Sequence, residues 1–121
     1  MRHLLNWVEI PVNDFERART FYETIMNVKF QEMEMDEARY AIFPSGDKFN
    51  CGALVKSEYH RPCPDGVVVY LDGRDDMDII LNKVESAGGE VIMTKTYTGD
   101  TAGYIGMFSD SEGNKIGLQH L

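Results

Sequence analysis

The chain has 121 residues, 43% hydrophobic and 26% charged, which suits one domain with an ordinary packed core and is too apolar for intrinsic disorder. Twenty acidic residues against twelve basic ones leave a net charge of −8. That sign repels phosphate backbones and anionic lipid, so the composition argues against nucleic acid and membranes as partners. No apolar run approaches the ~20 residues of a spanning helix, and residues 1–12 lack the apolar core and small-residue cleavage site of a secretory signal. The expected compartment is the cytoplasm.

Residues 4–12 (LLNWVEIPV) are rich in β-formers and read as a strand. Alternation puts Trp7, Glu9 and Pro11 on one face and Val8, Ile10 and Val12 on the other. Asn13-Asp14 then offers a helix cap, and Ala18, Phe21, Tyr22, Ile25 and Met26 recur at helical spacing, which predicts a half-buried helix over 14–26. Three strand-like runs follow at 28–35, 38–44 and 48–56, separated by Asp36-Glu37 and Ser45-Gly46-Asp47. Residues 60–66 (HRPCPDG) read as loop. The grammar then repeats: a strand over 67–71 (VVVYL), Asp75-Asp76 as a second cap, a helix with Met77, Ile80, Leu81 and Val84 on its apolar face, and Gly88-Gly89 as its stop. Strands at 90–97, 103–109 and 114–120 complete the chain, the last two joined by the turn Asp110–Asn114.

The order is βαβββ, loop, βαβββ. The two caps, Asp14 and Asp76, lie 62 positions apart, about half the chain. This predicts an α+β domain over 1–121 built from two tandem modules, about 4–57 and about 66–121. The aromatics Phe21, Tyr22, Phe43 and Phe108, and Tyr70 with them, are assigned to packing. The methionines, including Met33, Met35, Met93 and Met107, are read as core filler before pocket lining. Residues 99–103 (GDTAG) suggest a flexible loop beside a cleft, without the context of a phosphate cradle. Cys51 and Cys63 read as free thiols of a reducing compartment, with a disulfide as the alternative. The spacing Cys51…His60…Cys63 lacks a fourth ligand for zinc.

Four stretches, in order, resemble the vicinal-oxygen-chelate superfamily, which includes glyoxalases, bleomycin-resistance proteins and extradiol dioxygenases. They are Val8–Asp14 with Arg17-Ala18 and Phe21–Glu23; Val67–Leu71; Val84–Gly89; and Phe108–Leu118. In the last, Asp110-Ser111-Glu112-Gly113-Asn114 is similar to the family's D-P-x-G-N turn, with Ser111 where proline is usual. The resemblance implies two βαβββ modules whose mixed sheet curls around a central cleft, and commonly a homodimer. It also implies where a metal would sit, on inward strand positions that fall on Trp7, on or near Val69, on Gly117 and within 51–56. Indole, isopropyl and hydrogen offer no ligand atom, and 51–56 holds no His, Asp or Glu. No metal and no cofactor are therefore expected, and classical glyoxalase I or dioxygenase chemistry is disfavoured.

If Trp7 faces the cleft, Glu9 does too, and Gln119 shares a face with Gly117 on the closing strand. Trp7, Glu9, Val69 and Gln119 are the candidate binding residues, with Glu9 the candidate catalytic group. In a partly apolar cleft its pKa would rise, suiting a general base; equally it could hold a cationic ligand group. The bland alternatives are a solvated carboxylate at the cleft mouth or an ion pair with Arg or Lys. Three functions of different class follow: a small-molecule binder that needs no metal, a metal-independent lyase or isomerase with Glu9 as base, and a protein-interaction module with a vestigial cleft.

Overall fold

The computed structural model describes residues 4–45 and 51–121. Its elements are β1 (Val8–Pro11), α1 (Phe15–Met26), β2 (Gln31–Met35), β3 (Ala38–Ile42) and β4 (Gly52–Lys56), then β5 (Val69–Asp72), α2 (Asp78–Ala87), β6 (Glu90–Tyr97), β7 (Tyr104–Ser109) and β8 (Lys115–His120). This is the duplicated βαβββ order expected from the sequence. Each module forms one four-stranded mixed sheet, ordered β1-β4-β3-β2 and β5-β8-β7-β6. β1 runs parallel to β4 and β5 parallel to β8, while the remaining pairs are antiparallel. The sheets do not join into one closed surface: β1 and β5 are edge strands, each bonded only to its own module's last strand among the described residues.

Local sequence explains the helices. The Asp14 carboxylate accepts the Arg17 amide at 3.0 Å, a side-chain cap on an otherwise orphan donor. Asn27 ends α1 in the left-handed region at φ 54. In the second module the cap residue is Met77, which has no capping side chain, and Asp76 accepts the Asp78 amide at 3.0 Å instead. Gly88 closes α2 at φ 113, a conformation that costs a Cβ-free residue nothing.

One apolar cluster spans both modules. Ile10, Val12 and Leu54 of the first sheet meet Phe15, Phe21, Tyr22 and Ile25 of α1, and these pack on Ile80 and Val84 of α2 with Phe108, Ile116 and Leu118 of the second sheet. Phe21 and Tyr22 stand edge to face at 5.1 Å, with Phe108 against both. These aromatics are packing residues, as expected. Met33 and Met35 depart from the expectation: both are exposed, because β2 is an outer edge strand with every residue open to solvent. The predicted strand 4–12 is also shorter in the structure, and residues 46–50 of the predicted strand 48–56 and of its preceding turn lie outside the described residues.

The modules are locked by the β7–β8 turn. Buried Asp110 accepts the Tyr22 hydroxyl at 2.6 Å and the Asn114 side-chain amide at 3.0 Å. Asn114 also donates to the Pro11 carbonyl at 2.8 Å and accepts the Cys63 amide at 3.0 Å. Glu112 accepts the Asn13 and Asp14 amides at 3.0 and 2.7 Å and pairs with Arg17 at 2.8 Å, at the start of α1. Burial pushes this carboxyl up, but the hydrogen bonds from Arg17, Asp14, Ser111 and Asn13 overcome it and hold the pKa at about 2.

Candidate functional site

The face of the first sheet opposite α1 carries Glu9. Strand register places Glu9 beside Ala53 and Pro11 beside Val55, with Ile42 and Tyr40 next along. Ile42, Ala53 and Val55 form a second, small buried cluster with Tyr40 against it. Glu9 therefore stands on an apolar floor, on the side of the sheet predicted from its parity with Trp7. The Trp7 indole donates to one carboxylate oxygen of Glu9 at 3.1 Å, and His60 Nε2 lies 2.7 Å from the other. His60 Nδ1 is 2.6 Å from the Ser57 hydroxyl, which in turn accepts the Tyr59 amide at 3.0 Å.

Donor counting orders this chain. With Glu9 ionised, Nε2 carries a proton and donates to the carboxylate, while Nδ1 pairs with the Ser57 hydroxyl, which can give or take the hydrogen. The expected rise in the Glu9 pKa is corrected here. The His60 hydrogen bond outweighs desolvation, and with the Trp7 bond it holds the carboxyl below its ordinary value. His60 is a residue the sequence reading missed, since it was set in a Pro-flanked loop. The bland expectation of an Arg or Lys partner is replaced by histidine and indole.

The second module supplies the facing residues, with one parity reversed. Val69 pairs with Ile116 and Leu71 with Leu118, so both share the strand face of these core residues, and Leu71 packs against the core. Tyr70 pairs with Gly117 on the opposite face, and a Cβ added at Gly117 would collide with the Tyr70 ring. Tyr70, assigned to the core from sequence, is instead 45% exposed and lies flat over that glycine. Val69, assigned to the cleft face, points to the helix side and borders the groove because β5 is an edge strand. The missed signal was Asp72: a carboxylate at a strand end sits outward, and Tyr70 shares its parity. Gln119 donates to the Ala102 carbonyl at 2.6 Å, while Glu9 bonds Trp7 and His60, so no hydrogen bond brings Gln119 and Glu9 together.

Between the edges of β1 and β5 lies an open groove of about 560 Å³, whose walls include Trp7, Val8, Phe43, Val69, Tyr70 and Asp72. The sequence profile of the Glyoxalase/Bleomycin resistance protein/Dioxygenase superfamily matches residues 4–118. The chain belongs to this superfamily. A glyoxalase/bleomycin resistance protein from Albidiferax ferrireducens T118 superposes with TM-score 0.68 at 18% identity, over 98% of this chain and all (100%) of that one. TnmS3, an antibiotic binding protein from Streptomyces sp. CB03234, gives 0.64 at 24% identity, over 98% and 95%. A glyoxalase I mutant (V278E) from Zea mays gives 0.65 at 16% identity, over 93% of this chain and 44% of that one. No curated protein matches by sequence.

The donors present do not fit the metal of the superfamily's metal-dependent members. The only heteroatom of the Trp7 ring is an N–H that already donates to Glu9, Gly117 has no side chain, and Ala53 and Val55 line the face of β4 that carries Glu9. Among the described residues no three His, Cys, Asp or Glu side chains are grouped to hold an ion. Cys51 and Cys63 are free thiols. No helix among the described residues is long and apolar enough to cross a membrane.

Proposed function

We propose that this protein binds a small molecule in the groove between its two sheets, using its own side chains and no metal. The observation that carries the reading is the pair of half-exposed aromatics, Trp7 and Tyr70, held in place at one groove by a carboxylate and by a glycine seat. Exposed aromatics held this way are pre-organised, so little side-chain entropy is lost when a ligand covers them. Glu9 is outside the groove's lining and acts on it through the Trp7 indole that it holds. The His60 and Trp7 hydrogen bonds hold the Glu9 carboxyl below the ordinary value, so the charge that fixes the indole is kept at neutral pH.

The same depression argues against the lyase or isomerase alternative, because a carboxylate made less basic is a poorer general base near pH 7. The third alternative, a vestigial cleft, is at odds with a groove of about 560 Å³. TnmS3, alike in fold, is an antibiotic binding protein, which supports a small-molecule ligand here. The functional unit is a homodimer: Met33 and Met35 on β2 and Ile92 and Tyr97 on β6 leave apolar surface along two free sheet edges.

A thermal-shift screen of small metabolites and antibiotics on the purified protein tests the reading. The expected result is at least one stabilising compound whose effect is lost in Glu9→Gln, while the free variant still unfolds cooperatively with a modestly lower melting temperature. A hit that binds Glu9→Gln as well as the parent protein would remove Glu9 from the site.

A further inference from the structure

We propose that the groove between β1 and β5 selects cations: a protonated amine or quaternary ammonium carried on an apolar body. This deepens the binding reading above by naming the ligand class, and it rests on that reading. Three observations support it.

First, the groove's walls are mostly aromatic and aliphatic, with Asn6 and Cys51 beside them, and the sole acidic or basic side chain in them among the described residues is Asp72. Among the described residues no lysine, arginine or histidine lines it; Arg74 belongs to the adjoining cavity of about 230 Å³, which shares Phe43, Cys51, Leu71 and Asp72 with it. One Asp72 oxygen accepts the Arg74 backbone amide at 2.8 Å, which fixes the carboxylate and leaves further lone pairs free.

Second, the Trp7 indole is a better cation platform than an isolated ring. Its N–H donates to the Glu9 carboxylate, and this polarises electron density onto the ring face while placing a full negative charge at the ring edge. The ring is 42% exposed, so the face is available.

Third, Tyr70 is the second aromatic of the groove, and Gly117 exists at its partner position to let the ring lie down. The residue that cannot ligate a metal thus shapes the aromatic wall. A net charge of −8 adds attraction for cations over the whole surface.

Trp7 is the only tryptophan, so indole emission reports the site directly. Titration of the full-length protein with benzyltrimethylammonium, neutral benzyl alcohol and phenylacetate anion distinguishes the classes. The expected result is a saturable change with the cation, tighter than the neutral and anionic probes by about tenfold or more. Asp72→Asn and Tyr70→Leu, both at exposed positions, should each weaken the cation several-fold more than they weaken the neutral probe. Equal binding of all three probes would overturn cation selection while leaving small-molecule binding intact. Saturable binding of the anion or neutral probe with none of the cation would do the same. No response to any probe, alongside a screening hit that needs Glu9, would overturn the cationic class and leave the binding site standing.

Discussion

Removing the charge of Glu112 should destabilise the protein strongly at neutral pH and hardly at all near pH 2. Its side chain is fully buried at the start of α1 and satisfies two amides that the helix cannot, together with the Arg17 guanidinium. Displacement of its pKa from 4.5 to about 2 corresponds to about 3 kcal/mol of linked stability. Arg17 is 55% exposed, so solvent screens part of the pair, and about 2 kcal/mol is the better figure. In Glu112→Gln the amide oxygen still accepts from Asn13 and Asp14, but its NH2 group meets the Arg17 fork. The pKa is depressed in the folded state, so the stabilisation is complete above pH 4.5 and is lost as pH falls toward 2. Urea unfolding of parent and variant at fixed protein concentration, from pH 7 to pH 2.5, should show a gap of about 2 kcal/mol that closes across that window. The melting temperature at pH 7 should fall by roughly 10 °C. A gap under about 0.5 kcal/mol at pH 7, or one that does not change with pH, would refute the reasoning.

Tyr22→Phe should cost about 1–2 kcal/mol in the same unfolding assay, since a buried hydroxyl leaves Asp110 but Asn114 still donates to it. His60→Ala should raise the midpoint of the Glu9 carboxyl, followed by NMR, toward 4.5, because the His60 hydrogen bond is the main cause of its depression. Light scattering at micromolar concentration should return twice the chain mass; a monomer would contradict the dimer.

Periodicity was enough to place both helices and the strand order, because apolar spacing reports which face is buried. Glu9, Trp7 and the Asp14 cap were legible for the same reason: each depends on neighbours within a few residues. What the sequence hid are contacts at long range. Glu112 reads as one residue of a tight turn, and nothing local says that its carboxylate caps a helix 95 residues earlier in the chain. His60 reaches Glu9 across 51 positions from a loop with no periodicity to orient it. The parity of β5 failed for a different reason. VVVYL is apolar on both faces, so alternation leaves its phase undetermined until Asp72 is counted as part of the strand.

Asn114 links the two halves of this picture. Its side chain donates to the carbonyl of Pro11, two residues beyond Glu9, and accepts the amide of Cys63, three residues beyond His60. The strand that carries the carboxylate and the loop that carries its histidine partner are thus tied to one buried amide, which touches neither group. Asn114→Ala removes the side-chain partner of the Pro11 carbonyl and of the Cys63 amide, while Asp110 keeps the Tyr22 hydroxyl, and stability should fall by about 1–3 kcal/mol. Loss of stability alone would not separate tethering from packing, so the informative readout is Glu9. If the tether sets the Glu9–His60 distance, the Glu9 titration midpoint should rise in Asn114→Ala. Tyr22→Phe, which weakens the same hub from the helix side, should leave that midpoint in place. Midpoints that stay unchanged in both variants, or that move equally, would show that the Glu9–His60 contact is held by Ser57 and the local turn, without help from the β7–β8 turn.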